Sequence, residues 1–391
     1  MSVLRRRLVV KFGGSVLESG ARIAEAARLV AEAPAAEKLV VVSAPLGMTD
    51  RLVTLVGGIP HPVDPSDRAS VVAFGERIGA RLFAAALKGR GIVTRLIEPE
   101  DPAWPIWTTG GSVDAEIDPR RSKASVSAGL APLLRRSTVV LCGFLGREGD
   151  RVTTLRRGGS DTTAIALARF LGATDIVLVK DVPGVLTADP RLVPAARPLK
   201  EVTTSQLEEL VRAGAKIVAP EALRLYDGRA RLKVIPLGPP LLDSAGTWVR
   251  PDREGADAPS PAKRSGERSG TVTVVLSKAP DGLGVLWRAI AGRPWIDLRA
   301  SPTALTVRVP EADVLPLLRE LHDSGRFLAV TSRPSGPADD AGVREPSSLR
   351  HSRADRRRAP GTSAPSSAHA DPNPRRVRAS APARPRGGRR R

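Results

Sequence analysis

The chain has little of several residue types that carry familiar chemistry. Its 391 residues include one cysteine, four histidines and 3% aromatic residues. The single Cys142 excludes a disulfide framework within the chain, which fits a reducing compartment, and its apolar neighbours predict a buried thiol. No apolar run reaches transmembrane length, and the basic start is followed by too few apolar residues for a signal peptide. We therefore expect a cytoplasmic protein with no membrane partner and with its histidines on the surface.

Positive charge is abundant but unevenly placed. The formal net charge is +20, and residues 333–391 hold 15 Arg against 5 acidic residues, which is half of the excess. This segment is rich in Pro, Ala and Ser and poor in apolar residues, so we predict a disordered tail. Nucleic-acid binding through the tail is one alternative function. It would depend on phosphate contacts, because the tail has no Phe, Tyr or Trp to stack on bases.

The order of apolar runs predicts an α/β fold. Continuous apolar strands at residues 8–10, 39–42, 138–141 and 175–179 alternate with helical stretches. This pattern indicates a three-layer sandwich with a mostly parallel central sheet. Ligands of such sheets bind beyond the carboxyl ends of the strands. Polar or glycine residues follow two of these ends, namely Lys11, Gly13, Gly14, Ser43 and Thr49.

A second pattern begins after a stretch rich in Pro, Gly and charge at residues 251–270. From residue 271 to 332 the predicted order is strand, helix, strand, strand, helix, strand, which is ferredoxin-like. We therefore predict a large α/β domain at 1–250, a linker at 251–270, a small ferredoxin-like domain at 271–332 and the basic tail at 333–391.

The motif Arg-Gly-Gly-Ser-Asp-Thr-Thr-Ala at residues 157–164 joins a predicted strand to a predicted helix. Adjacent glycines let the backbone turn and expose N–H groups, and a helix N-terminus attracts anions. Arg157 adds a planar guanidinium suited to a carboxylate. Ser160 or Asp161 is predicted to cap the helix. The motif indicates an anion site, and a plain turn with an N-cap is the alternative.

Three further segments surround this motif in order. They are Val-Lys-Phe-Gly-Gly-Ser at 10–15, Gly-Glu-Arg-Ile at 75–78 and Lys-Asp-Val-Pro-Gly-Val-Leu-Thr-Ala-Asp-Pro-Arg at 180–191. Together the four segments resemble those of the aspartate kinases in the amino-acid kinase family, over residues 8–250. The ferredoxin-like segment is similar to the family's ACT regulatory unit, although the family usually carries two.

The resemblance implies transfer of a phosphoryl group from ATP, with Mg²⁺, to L-aspartate. The product would be 4-phospho-L-aspartate, at the head of lysine, threonine and methionine synthesis. A carboxylate acceptor is already ionised at neutral pH and needs no general base, which agrees with a site that lacks histidine. Mg²⁺ is implied as the partner of the nucleotide, and we predict no metal site built from protein ligands.

The resemblance also implies roles for individual residues. Lys11 and Asp161 would be catalytic, with Asp161 ordering the lysines around the phosphoryl group. Glu76 would hold the ammonium group of the acceptor and Arg157 its α-carboxylate. The implied acceptor-binding residues are Ser43, Thr49, Glu76, Arg157, Gly158, Gly159 and Ser160. The implied nucleotide-binding residues are Lys11, Gly13, Gly14, Ser15, Lys180, Asp181, Leu186, Asp189, Arg191 and Lys216.

Four positions depart from the family pattern. Arg156 stands where the family has Gly, Lys180 where Thr is usual, Leu186 where Tyr is usual and Ala219 where His is usual. They affect the acceptor pocket and the way adenosine is held.

The runner-up function is a related kinase acting on another acyl or carbamoyl acceptor. The pair of Glu76 and Arg157 argues against it, because that pair reads both ends of an α-amino acid. The ACT-like unit predicts feedback control by lysine or threonine, with a ligand-free dimerisation module as the alternative. A single copy of the unit needs a second chain to complete the usual paired site, so we expect a homodimer.

Overall fold

The computed structural model of the chain describes residues 6–243, 245–252, 269–276, 282–291, 293–295 and 297–334. Most of the predicted linker and, from residue 335 onward, the predicted tail lie outside the described residues. The domain boundaries predicted from the sequence remain predictions.

The helices and strands are labelled in chain order. The described strands are β1 (Arg7–Phe12), β2 (Glu37–Val42), β3 (Thr94–Ile97), β4 (Thr108–Thr109), β5 (Glu116–Ile117), β6 (Thr138–Cys142), β7 (Leu145–Glu148), β8 (Arg151–Thr154), β9 (Asp175–Lys180), β10 (Glu201–Thr203), β11 (Arg231–Pro236), β12 (Thr247–Arg250), β13 (Ser269–Leu276), β14 (Asp297–Ala300), β15 (Ala304–Pro310) and β16 (Phe327–Pro334). The described α-helices are α1 (Gly20–Glu32), α2 (Met48–Gly57), α3 (Pro65–Gly89), α4 (Pro119–Ser125), α5 (Ala131–Leu134), α6 (Gly159–Leu171), α7 (Thr204–Arg212), α8 (Pro220–Leu225), α9 (Gly282–Ile290) and α10 (Glu311–Asp323).

Eight strands form the central sheet, in the order β10-β12-β11-β9-β1-β2-β6-β3. The strands from β11 to β3 are parallel, whereas β12 runs antiparallel to β11 and carries β10 beside it. The parallel strands are continuous apolar runs because both of their faces are covered. Cys142 at the end of β6 is buried, as predicted, and burial raises the pKa of its thiol.

Two neighbouring residues of β1 show that helices cover both faces of this sheet. The Phe12 ring packs against the Phe83 ring of α3, with ring centroids 4.9 Å apart. Lys11 reaches Asp161 of α6 instead. Because successive side chains of a strand point to opposite faces, α3 and α6 lie on opposite sides of the sheet. The predicted three-layer α/β sandwich is confirmed.

The buried face of α3 differs from the predicted one. Apolar spacing along this helix predicts a stripe of Phe74, Ile78, Leu82 and Phe83 facing the core, but only Phe83 is buried. The buried face is made mainly of small residues, because the helix lies very close to the end of β2. A Cβ atom on Gly79 would lie 2.4 Å from the Ser43 carbonyl oxygen. Larger side chains therefore turn outward, and small ones bring α3 against the strand end.

The second sheet has the order β14-β15-β13-β16, and its neighbours are antiparallel. With α9 after the first strand and α10 after the third, this is the predicted ferredoxin-like arrangement. The sequence predicts the last strand at residues 327–331, and β16 runs three residues further, to Pro334.

The loop between β9 and β10 belongs to two hydrophobic cores, and we call it the shared loop (residues 181–200). Val185 is buried with the central sheet, whereas Ala188 and Val193 are buried with the ferredoxin-like unit. The Thr187 carbonyl accepts a hydrogen bond from the Val330 N–H at 2.7 Å, and the Thr187 hydroxyl lies 3.0 Å from His322 Nε2. The prediction that His322 is a surface residue is therefore wrong, because its side chain is 7% exposed.

Candidate active site

Three charged side chains meet at the carboxyl ends of β1 and β9, and we call them the lysine–aspartate centre (Lys11, Asp161 and Lys180). Lys11 Nζ lies 2.8 Å from Asp161 Oδ1, as an ion pair without the alignment of a hydrogen bond. Lys180 Nζ donates to Asp161 Oδ2 at 2.7 Å. Lys11 and Asp161 are buried, and the Lys180 side chain is 17% exposed.

Burial and charge act against each other in this centre. Burial lowers the pKa of Lys11 to about 8, with Asp161 opposing the shift and Lys180 adding to it. For Asp161, burial would raise the pKa, but the two lysines outweigh it and lower the pKa to about 2. Asp161 is therefore ionised at neutral pH. With both lysines protonated, the centre carries one excess positive charge in a buried setting, which favours an anionic ligand.

The N-terminus of α6 presents Asp161 to the two lysines. The N-cap is Gly158 with φ +85°, and no side chain caps the helix, so the prediction of Ser160 or Asp161 as cap is wrong. Both residues lie in the first turn and are buried. A Cβ on Gly158 would lie 2.7 Å from the Ala219 Cβ, so glycine is required there both by φ and by space. The Asp161 carboxylate therefore does not cap the helix and can pair with the two lysines.

Glu76 is the buried carboxyl of the predicted acceptor pocket. It is 3% exposed on α3, and Thr49 Oγ1 lies 3.5 Å from its Oε1. Its Oε2 is buried and has no hydrogen-bond partner among the described residues. Burial raises the pKa of Glu76 to about 7, against hydrogen bonds that include the Ala44 N–H and Thr49. A buried carboxyl with an unpaired oxygen is suited to an ammonium group.

Two arginines in the turn before α6 would border the mouth of this pocket, and we call them the acceptor arginines (Arg156 and Arg157). Arg157 is 90% exposed and donates to Asp50 Oδ1 at 3.1 Å. Arg156 lies 3.9 Å from carboxylate oxygens of both Glu116 and Glu221. Sequence reasoning missed Asp50, although it adjoins Thr49 in the first turn of α2.

Parallel strand ends bring the predicted loops together. Gly13, Gly14 and Ser15 follow β1 in a turn, and the Gly13 N–H donates to the Val179 carbonyl of β9 at 3.2 Å. On the other side, the Ser43 N–H donates to the Phe12 carbonyl at 3.2 Å. The Gly13 N–H is therefore engaged within the protein rather than free for a phosphate.

The remaining residues predicted to bind the nucleotide are more open. Asp189 Oδ2 accepts a hydrogen bond from Arg191 at 2.7 Å, and Arg191 is 83% exposed. Leu186 is half-buried in the shared loop, and Asp181 and Lys216 are exposed. Among the described residues, none of these side chains forms a hydrogen bond or an ion pair with the lysine–aspartate centre.

The described ranges contain no cluster of three or more His, Cys, Asp and Glu side chains placed to hold a metal ion. They also contain no helix that is both long and apolar enough to cross a membrane.

Comparison with known proteins shows which protein family the chain belongs to. The profile of the amino acid kinase family matches residues 6–235. The chain belongs to the amino acid kinase family. Within this family it is similar to the aspartokinase of Corynebacterium efficiens, with 36% identity over 219 residues, which cover 54% of this chain and 50% of the relative. The chain thus spans about half the length of the curated relatives it matches.

Solved amino acid kinase structures agree with the fold. A crystal structure of E. coli aspartokinase III in complex with aspartate and ADP has a TM-score of 0.59 at 23% identity, covering 84% of this chain and 86% of that one. The same E. coli enzyme in complex with lysine and aspartate gives 0.58 at 24% identity, covering 84% and 85%. At these identities the likeness is one of fold.

Proposed function

We propose that this chain is an aspartate kinase, which transfers the γ-phosphoryl group of ATP to the β-carboxylate of L-aspartate. One observation carries the proposal. Thr49 contacts the buried Glu76, and the next residue, Asp50, contacts Arg157. A carboxyl suited to an ammonium group and a guanidinium suited to a carboxylate therefore contact adjacent residues, and Arg157 lies in the turn that leads to Asp161. Similarity to curated aspartokinases over the kinase segment supports the same acceptor.

The reaction requires one bond to form as another breaks. An oxygen of the acceptor β-carboxylate forms a bond to the γ-phosphorus, and ADP leaves with the electrons of the broken P–O bond. Lys11 would neutralise charge on the transferring group, and Asp161 would hold Lys11 in place. No side chain has to take a proton, because the acceptor is already a carboxylate.

We propose that Mg²⁺ arrives with the nucleotide. The buried carboxylate of Asp161 is already held by Lys11 and Lys180, so it is not free to serve as a metal ligand. Bound to the nucleotide phosphates, Mg²⁺ would supply further charge neutralisation. Residues Gly13 to Ser15 and the shared loop are the proposed walls of the nucleotide site.

The test is ADP release combined with hydroxylamine trapping of an acyl phosphate. Acceptors should include L-aspartate, succinate, which lacks the ammonium group, β-alanine, which lacks the α-carboxylate, and N-acetyl-L-aspartate. We expect a trapped hydroxamate with L-aspartate and little with the other three. A preference for an N-acetylated or carbamoyl acceptor would instead support the runner-up, a related kinase of the same family. Surface variant Lys88→Met serves as the control for handling and folding.

We further propose that the ferredoxin-like unit carries feedback control by lysine or threonine and pairs with a second chain. The support is its contact with the shared loop, through Thr187 with His322 and Val330. A ligand that alters this unit would thereby act on the nucleotide site. Inhibition by either amino acid, measured together with solution mass, tests both parts. A monomeric protein whose activity is unchanged by lysine and by threonine would contradict both proposals.

A further inference from the structure

We infer that Lys180 is a second phosphoryl-binding lysine, which shares Asp161 with Lys11 and contacts the group being transferred. This inference depends on the proposed kinase function. The family resemblance assigns position 180 to the nucleotide and expects threonine there, so the role belongs to this chain's own residue.

The register of the sheet places both lysines on one face. Lys11 of β1 pairs with Leu178 of β9. Side chains two residues apart on a strand share a face, so Lys180 lies on the same face as Leu178 and therefore as Lys11. The two ammonium groups then approach Asp161 from adjacent strand ends, each at a different carboxylate oxygen. The two ammonium groups lie close enough for Lys180 to lower the pKa of Lys11, so one anion with several oxygens would contact both of them.

The charges of the lysine–aspartate centre suit an anionic ligand. One carboxylate offsets one of the two ammonium groups, and the N-terminus of α6 adds partial positive charge next to them. Buried charges are costly unless they are paired. A phosphoryl group in transfer spreads negative charge over three oxygens, which suits two cations and a helix N-terminus together.

Lys216 is the competing residue for this role. The resemblance implies that it faces the phosphates, but its side chain is exposed in the connection between α7 and α8. Lys180, in contrast, is held at 2.7 Å by a buried carboxylate. A fixed, desolvated cation stabilises developing charge more effectively than an exposed one, because it needs no reorganisation during reaction.

The first experiment compares two nucleotides without any acceptor. Binding of ADP and of the non-hydrolysable analogue AMP-PNP, each with Mg²⁺, is measured by calorimetry for the wild type, Lys180→Met and Lys88→Met. We expect Lys180→Met to lose roughly 10- to 100-fold of its affinity for AMP-PNP and little for ADP. We expect Lys88→Met to match the wild type. An unchanged ratio of the two affinities in Lys180→Met would overturn the inference.

The second experiment uses the pH–rate profile, which reports whether Lys180 acts on Lys11 during the reaction. Lys11 must be protonated to act, so activity should fall as pH rises through about 8, the pKa of Lys11. The charged groups that act on Lys11 are Asp161, which raises its pKa, and Lys180, which lowers it. Removing Lys180 should therefore move the alkaline limb to higher pH while kcat falls roughly 10²- to 10³-fold. A limb that stays in place contradicts the inference.

Further variants distinguish a loss of folding from a loss of phosphoryl binding. Lys180→Thr, which installs the residue usual in the family, is a second variant should Lys180→Met fail to fold, and Lys180→Arg should retain part of the AMP-PNP preference. Lys216→Met should shift the ratio of the two affinities less than Lys180→Met, and a larger shift would assign the role to Lys216. Failure of the wild type to phosphorylate L-aspartate would reject the proposed acceptor, while the nucleotide comparison would still decide the role of Lys180.

Discussion

The lysine–aspartate centre and the acceptor arginines hold their charges in opposite ways. In the centre, a buried carboxylate fixes two lysines at 2.8 and 2.7 Å. At the mouth, Arg157 and its partner Asp50 are 90% and 70% exposed. Burial strengthens the interactions in the centre, whereas water and salt screen those at the mouth. We therefore expect the centre to control the rate of transfer and the acceptor arginines to adjust acceptor affinity.

The largest effect is expected from breaking the centre with Asp161→Asn. Loss of the carboxylate leaves two lysines facing each other and removes the group that raises the pKa of Lys11. The Lys11 pKa should fall, and kcat should drop by roughly 10²- to 10³-fold or more. Steady-state ADP release measures the loss, and thermal melting shows whether the variant is folded. A folded variant within tenfold of wild-type kcat would contradict this account of the centre.

An intermediate effect is expected from Glu76, which is buried like the centre but serves the acceptor. Because burial raises the pKa of Glu76 to about 7, its carboxyl is increasingly protonated below that pH and loses its attraction for an ammonium group. KM for L-aspartate should therefore rise as pH falls below about 7, with kcat changing less. Glu76→Gln should remove this dependence and raise KM at pH 8 by roughly 10- to 100-fold. A wild-type KM that is flat between pH 6 and pH 8 would be the opposing result.

The smallest effect is expected from Asp50→Asn at the exposed mouth. Asp50 competes with the acceptor carboxylate for Arg157, so its removal should lower KM for L-aspartate by about two- to fivefold, the range of exposed ion pairs. The change should fade at high salt. Asp67→Asn, on the exposed first turn of α3, removes the same charge elsewhere and should leave KM unchanged. A KM that rises in Asp50→Asn would show that Asp50 positions Arg157 rather than competing for it.

Sequence patterns predicted the structural features that are determined by residues close together along the chain. The parallel strands, the glycine turns and the helix after Gly159 follow from local composition, and the order of elements predicted both sheets. The contact between Lys180 and Asp161 depends on strand register, which no single stretch of sequence specifies. The burial of Glu76 depends on the close approach of α3 to the end of β2, so hydrophobic spacing indicated the wrong face. The burial of the His322 side chain was not predicted, because its partner, Thr187, is 135 residues away along the chain.

The shared loop has a thermodynamic consequence. Because Val185 packs in one core and Ala188 and Val193 pack in the other, neither core can lose its structure without exposing apolar surface of the loop. The two sheets should therefore melt as one cooperative unit. A nucleotide that binds along the loop would then raise the melting temperature of the ferredoxin-like unit as well, although it touches only the other part.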